Sequence, residues 1–498
     1  MKRIGFLIIL MVLTFGLKAQ LPKPYIVADF AEEQLPMVLD LCHQGGFETL
    51  IVRSPFSTLG HYEWDASFAP DGDRSVRRMV ETAAEQGVTL GVMVQEDVIS
   101  LNDAFFDAKY YQQFQHSEPL VLFDELTAED VDIPLRRNDL FKSVSSLNLL
   151  LIDDEVVSFG TMELAGDLVL LHHCTRGLYG TKKTPHGLDA KVYRVWDTPE
   201  RNVIPDGELR LMVRQKLADR LAAANVTLAL VKDAPGQELL DKSLRVRKVE
   251  SWESDGVANN SLGWFLVHPA DKKRAATTMS ELEWMLAKAA AFNASYGLLV
   301  DLKTVTAHGM LSEMLETMRQ WNLLMKGSAF TSSQKETMKD PYLDWHLERV
   351  TDSLYRLYPW NYSRRYQCSL QTIDTGLLQS ETWQWNAEEE GPFGLWIQVD
   401  GVTDVVNPMV NTSRGLVMFP CTLKPGQQLD CHFGDTACIV DANLHLLETV
   451  AVEGLSELAK GDNEVNFLCE VDPETEQLPV VTLRYITRER FFLLHPYK

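Results

Sequence analysis

Apolar positions along the chain alternate between two spacings. YIVADF (25–30) is a short apolar run, and behind it Leu35, Val38, Leu39 and Cys42 fall at i, i+3, i+4 and i+7, one face of a helix. Gly45-Gly46 stops that helix and FETLIV makes a second strand. Val76, Met79, Val80, Ala83 and Ala84 repeat the stripe, Gly87 ends it, and VTLGVMV makes a third strand. Strands alternating with helices in this way predict a parallel sheet covered by helices.

Residues 103–195 break the alternation. LNLLLIDDEVVSFGTM, DLVLLHHCTRGLYGTKKTPHG and AKVYRV are strand-like runs cut by Gly, Asp and Pro turns, which predicts a β-rich subdomain inserted after the third strand. The α/β pattern resumes at Pro205-Asp206, with Leu209, Met212, Val213, Leu217 and Leu221 on a buried helical face before VTLALV. RVRKVE and LGWFLV read as two further strands. Ser280 and Glu283 then have the spacing of a capping box, opening a helix with Leu282, Met285, Leu286, Ala289 and Phe292 inward. YGLLVD is another strand, and Leu311, Met314, Leu315, Met318 and Trp321 line another helix. Seven candidate parallel strands predict a (β/α)8 TIM-like barrel over residues 21–365, with one strand unread; the size without the insert suits the roughly 250 residues of that fold. The alternative is an open doubly wound sheet, but no Gly-rich phosphate turn follows any strand. Beyond residue 365, short strands between Gly, Pro, Asn and Asp turns predict a C-terminal β-sandwich over 366–498.

Residues 1–20, MKRIGFLIILMVLTFGLKAQ, read as a signal peptide: Lys2 and Arg3 precede an apolar run ending near Ala19. The run is short for a membrane anchor, and no later segment reaches the roughly twenty apolar residues of a spanning helix. Export to the periplasm or outside the cell is therefore expected. A net charge of −23, from 47 basic and 70 acidic residues, repels phosphate backbones and argues against nucleic acid as a partner. Seven sparse cysteines with no C-x-x-C pair read chiefly as isolated buried thiols, with one bridge between 421 and 469 left open. No metal site or cofactor motif is legible: H-E-x-x-H, G-x-S-x-G and Walker patterns are all missing.

In a TIM-like barrel the reactive groups stand at the C-terminal ends of the strands. Those ends supply Asp29, Arg53, Glu96 with Asp97, Asp233, Glu250 with Glu253, His268 and Asp301. A ring of acids with Trp64, Trp196, Trp252 and Trp264 nearby in sequence suits a sugar, whose C–H faces stack on aromatics while carboxylates take its hydroxyls. Glycoside hydrolysis needs two carboxyl groups about 5–5.5 Å apart for retention or about 6.5–9.5 Å for inversion, one held protonated and one ionised. Asp233 is the first choice, with Glu253 or Asp301 as its partner and Glu96 in reserve. Arg53, Trp252, Trp264 and His268 are the candidates for substrate contact. For each acid alone, a solvated loop position or a structural hydrogen bond is the default reading. The segment from Thr175 to Thr181 reads as a tight Gly-supported hairpin.

CTRGLYGTKKTPHG, LGWFLV, TTMSELEWMLAKAAAFNASYG and AHGMLSEMLETMRQW together resemble exported bacterial proteins of the (β/α)8 glycoside-hydrolase superfamily associated with polysaccharide use, over about residues 145–350. The resemblance implies that the strand matching VTLALV ends in a Phe-Asp-Gly-x-Glu turn carrying acids. Here the match is Val231 to Gln237: Asp233 keeps the first acid, and Gln237 or Glu238 stands nearest the second. Lys232 lowers a neighbouring carboxyl's pKa, the wrong direction for a general acid. Two readings follow: a hydrolase of a complex polysaccharide or oligosaccharide, or a catalytically degenerate glycan-binding protein on a retained barrel.

Overall fold

The computed structural model describes residues 23–136 and 146–496; the expected signal peptide lies outside them. In chain order the elements are β1 (Tyr25–Ala28), α1 (Leu35–Gly45), β2 (Thr49–Val52), α2 (Asp73–Glu85) and β3 (Thr89–Val94). The insert then supplies β4 (Ile133–Arg136), β5 (Leu149–Ile152), β6 (Glu155–Ser158), β7 (Thr161–Ala165), β8 (Leu168–His172) and β9 (Val192–Arg194). After it come α3 (Gly207–Ala223), β10 (Ala229–Val231), α4 (Arg245–Ser254), β11 (Ser261–Leu266), α5 (Met279–Phe292), β12 (Ser295–Val300), α6 (Leu311–Lys326) and α7 (Ser332–Met338). The hairpin β13 (Asp344–Thr351) and β14 (Leu354–Tyr362) opens the antiparallel region, so the change expected after residue 365 falls inside it.

Six strands form one sheet in the order β10, β3, β2, β1, β12, β11, and β10 with β3, β1 with β12 and β12 with β11 pair in parallel. The expected alternation of parallel strands and helices is thus present. Closure into eight strands is not seen among the described residues, since β10 and β11 end the order. RVRKVE, expected as a strand, is α4. Its alternating Val and Arg fit a period of two, but the residues that bury are Val249 and Trp252, three apart on one helical face. Past β10, Leu239 makes a single parallel bridge with Trp264.

The chain divides into two compact units. Among described residues the first holds 29–35 and 51–232, the second 23–28, 36–50 and 233–496. In the first, the insert forms two three-stranded antiparallel sheets, β4-β8-β7 and β6-β5-β9, around a core that includes Leu135, Leu150, Val157 and Leu171. In the second, sheets of nine and eight strands enclose Trp385, Phe393, Phe419 and Phe467.

Every residue from Leu282 to Ala291 of α5 is buried. A helix covered on all sides must satisfy any charge it carries. Glu283 does so with Leu347 N–H (2.8 Å), His346 Nδ1 (2.9 Å) and Trp321 Nε1 (3.4 Å). It is therefore a core anchor for β13 and no part of the N-cap. The capping box lies two residues earlier: Thr278 is the N-cap, its hydroxyl takes Glu281 N–H, and the Glu281 carboxylate takes Thr278 N–H. All seven cysteines are free. No helix among the described residues is long and apolar enough to cross a membrane.

Candidate functional site

In the first unit, the strand ends and the loops beside them carry an acid, two guanidinium–carboxylate pairs and a buried tyrosine. Asp29, just past β1, accepts Arg53 Nε at 2.9 Å and Nη2 at 2.7 Å on one oxygen and Ser54 N–H at 2.7 Å on the other. Both oxygens are committed, and Arg53, a candidate for substrate contact, is engaged with them.

β3 runs out into Gln95-Glu96-Asp97. Asp97 takes a left-handed backbone (φ 55) and receives Arg214 of α3 as a fork, Nε at 2.7 Å and Nη2 at 2.6 Å. Glu96 is half-buried, with no hydrogen bond or ion pair among the described residues. Burial raises its carboxyl pKa, the Asp97 charge raises it further, and Arg214 pulls the other way. Tyr62 is fully buried, also left-handed (φ 54), and donates its hydroxyl to Gln95 C=O at 2.9 Å. Burial, then Asp97 and Glu96, push the Tyr62 phenol up, so it stays a neutral donor. Lys232 pairs with Glu200 at 3.6 Å. Trp64, one of the aromatics suited to a sugar, is buried, stacks on Phe56 and donates Nε1 to Asp73 at 2.7 Å.

The remaining candidates lie in the second unit. Asp233 is exposed and left-handed (φ 58). The turn behind it folds onto the start of β11: Ser261 Oγ donates to Gly236 C=O at 2.8 Å, Asn259 Nδ2 donates to Pro235 C=O at 2.8 Å, and Glu238 takes Gly236 N–H at 3.1 Å. Glu238 is thereby a turn-forming group and Gln237 is buried. Asp301 is exposed and closes its own turn, accepting Lys303 N–H at 3.0 Å.

Glu253 and Glu250 are exposed on α4 and not at a strand end, because the segment carrying them is helical. Trp252, on the opposite face, is buried edge-on against Phe292 at 5.6 Å and offers no face to a ligand. Trp264 lies over Gly297 and gives its Nε1 to Tyr25 Oη at 3.1 Å. His268 is half-buried, its Nδ1 2.9 Å from Pro269 C=O.

Among the four carboxylates expected from sequence, Glu96 alone combines a raised pKa with no partner among the described residues. The Arg214 fork and the Tyr62 donor had no sequence signal beyond residue type, since nothing in their spacing ties α3 or the loop after β2 to the end of β3. Among the described residues, no group of three or more His, Cys, Asp or Glu could hold a metal ion.

No family model matches the chain, and no curated protein matches it. Among solved structures it is similar to a GH36 α-galactosidase from Geobacillus stearothermophilus, at 10% identity over 91% of this chain with a TM-score of 0.31. It spans 56% of that enzyme's length. An α-amylase from Geobacillus thermoleovorans matches at 10% identity over 90% of this chain and 98% of its own, TM-score 0.31. A pyruvate kinase from Cryptosporidium parvum matches at 12% identity over 68% and 74%, TM-score 0.25. Likenesses of this size name no family for the chain.

Proposed function

We propose that the protein is a glycoside-hydrolase-like protein acting on a complex polysaccharide or oligosaccharide, with Glu96 as the proton donor. Protonating a glycosidic oxygen near neutral pH needs a carboxyl kept protonated by an apolar or like-charged setting. Glu96, half-buried beside Asp97 at the end of β3, has that setting, and this observation carries the reading. Tyr62 supports Gln95 from beneath, and the Arg214 fork fixes Asp97 as the neighbouring charge. Asp233 and Asp301, the carboxylates expected from sequence, are both exposed. A leader over residues 1–20, as the sequence leads one to expect, would suit work on glycans outside the cytoplasm.

A second reading, a glycan-binding protein without catalysis, is favoured by a specific observation: Asp29 and Asp97 are both held by arginines. One experiment separates the two. The mature protein, Glu96→Gln and Asp233→Ala are incubated with a panel of plant and host oligosaccharides, and products are read by mass spectrometry. Cleavage by the wild type that Glu96→Gln reduces at least a hundredfold supports the donor role. Full cleavage by Glu96→Gln removes Glu96 from it. Retention of a glycan in affinity electrophoresis with no cleavage supports the binding reading, and neither cleavage nor retention on any glycan counts against both.

A further inference from the structure

The loop from Thr175 to Thr181, in the first unit, takes no part in the chemistry above, yet it is built with unusual firmness. Its foundation is the carboxylate of Glu155, 1% exposed. That group receives Arg176 Nε and Nη2 at 2.7 and 2.8 Å, Gly177 N–H at 2.8 Å, Thr184 N–H at 3.2 Å and His186 Nε2 at 2.8 Å. Arg176 also donates to the carbonyls of Thr127 and Thr184. The start of the loop and the segment just beyond it are thus tied to one buried anion.

What this foundation holds out is Tyr179. Its backbone is left-handed (φ 52), flanked by Gly177 (φ 64) and Gly180 (φ 84). A bulky side chain in that region costs about 1–3 kcal/mol, and a turn needing only its shape is better served by Gly or Asn. Tyr111 Oη donates to Tyr179 C=O at 2.9 Å, and Phe106 meets the Tyr179 ring at 87° and 4.7 Å. The side chain is nevertheless 42% exposed, and its hydroxyl has no hydrogen bond among the described residues.

Within the same unit, aromatic contacts of Phe106 and of its chain neighbour Phe105 link this ring to the segment that carries His61 and Tyr62. Phe106 packs on Tyr111 and Phe114, and its neighbour Phe105 stacks on His61 at 4.0 Å and meets Tyr110 at 5.5 Å. His61 is held by Asp103 through Nδ1 and its backbone N–H, each at 2.8 Å. The next residue, Tyr62, bonds the carbonyl of Gln95, beside Glu96.

We infer that Tyr179 forms an outer sugar-binding subsite, stacking its ring on the C–H face of a pyranose and offering its hydroxyl to the sugar's. The inference rests on the carbohydrate reading and adds to it a contact on the insert, reached only by the longer oligosaccharides. Nucleic-acid bases also stack on tyrosine, but a chain of net charge −23 repels their phosphates.

The test measures binding of fluorescent xylo-, malto- and galacturono-oligosaccharides of graded length by anisotropy, with wild type, Tyr179→Ala and Tyr179→Gly, and melting temperatures alongside. Stacking of this kind corresponds to about a tenfold change in Kd. Both variants are expected to weaken binding of the longest bound oligomer by about that factor while leaving the shortest bound oligomer unchanged. Tyr179→Gly is expected to keep or raise the melting temperature, since it relieves the left-handed strain. Equal Kd values for wild type and both variants overturn the subsite and leave the Glu96 reading standing. A fall in melting temperature for Tyr179→Gly without loss of affinity assigns the ring to packing alone and also overturns it. A wild type that binds no oligomer of the panel overturns both readings.

Discussion

Lys288 makes the stability of the second unit rise with pH above neutrality. The side chain is fully buried in α5, and its ammonium donates to the carbonyls of Met338 and Asp340, each at 2.6 Å. Carbonyl oxygens are neutral acceptors and do not cancel a buried charge. Burial therefore pulls the pKa down from 10.5 to about 7, against the opposing charges of Asp340 and Asp344 and with the aid of Lys242 and Arg245. The unfolded chain keeps the proton up to the ordinary lysine value, while the folded chain releases it near 7. Between those values the unfolded state binds more protons, so stability increases with pH. At pH 7 the folded group is about half protonated and by pH 9 essentially neutral, which gives a gain of about 2 kcal/mol across two pH units.

Urea unfolding of wild type and Lys288→Met at pH 7, 8 and 9, at constant ionic strength, measures this. Titrating groups that do not interact with Lys288 contribute equally to both proteins and cancel in the difference. Cys42, Cys174, Cys368, Cys421, Cys431 and Cys469, whose pKa burial raises, are among them. Wild type is expected to gain about 2 kcal/mol relative to the variant between pH 7 and 9. Parallel pH profiles for the two proteins refute the reasoning, whatever their absolute stabilities.

Three further predictions test other parts of the structure. Arg176→Ala leaves the Glu155 carboxylate buried without its main counter-charge and should cost about 3–5 kcal/mol in thermal or urea unfolding; a cost below about 1 kcal/mol contradicts the pairing. Burial pushes the Glu155 carboxyl up, but Arg176, His186 and Thr184 N–H outweigh it and hold it at about 2, so the network's contribution is present above pH 4.5 and lost as pH falls toward 2. Thr278→Ala should lower stability by about 1 kcal/mol while Ser280→Ala stays within a few tenths, and equal costs would return the cap to Ser280. Arg214→Ala removes the cation that opposes the rise in the Glu96 pKa. It should therefore shift the Glu96 titration, followed by carboxyl-carbon NMR, to higher pH, and a shift to lower pH contradicts the assignment.

How much of this was legible in the sequence depended on whether a signal was local. β1, β2, β3 and β10 lie within runs that read as strands, and β11 and β12 begin one residue before theirs, because parallel strands buried on both faces are near-continuous apolar stretches. The stripe of α1 is buried at all four expected positions, Leu35, Val38, Leu39 and Cys42. The stripe of α3 fails at Met212, which is exposed, since a helical period places a residue on a face without saying how wide the covered face is. Ser280 and Glu283 matched a capping spacing by coincidence, two residues downstream of the pair that caps. Glu283 was misread because its partners, His346 and Leu347, are some sixty residues away in sequence. The candidate site was legible only as a set of strand ends. Its order of merit was not, because burial raises Glu96 and an arginine from α3 claims Asp97, both consequences of tertiary contact.

The left-handed residues sharpen the choice between a working face and a merely stable one. Asp97, Asp233, Asn259 and Asn293 are short polar residues that tolerate this backbone at little cost. Tyr62 and Tyr179 are not, and each is held by named bonds: Tyr62 through Gln95, Tyr179 through Tyr111 and the loop fixed on Glu155. Backbone conformation alone favours glycine at both positions. Tyr62 is fully buried and repays its strain by supporting the strand end that carries Glu96. Tyr179 is exposed and gains little from packing, so its strain is best explained by something the ring meets from outside. The proposed reading therefore places its weight on the loops beyond β2 and β3 and on the insert, while Asp233, on a backbone that an aspartate adopts cheaply, carries no such mark.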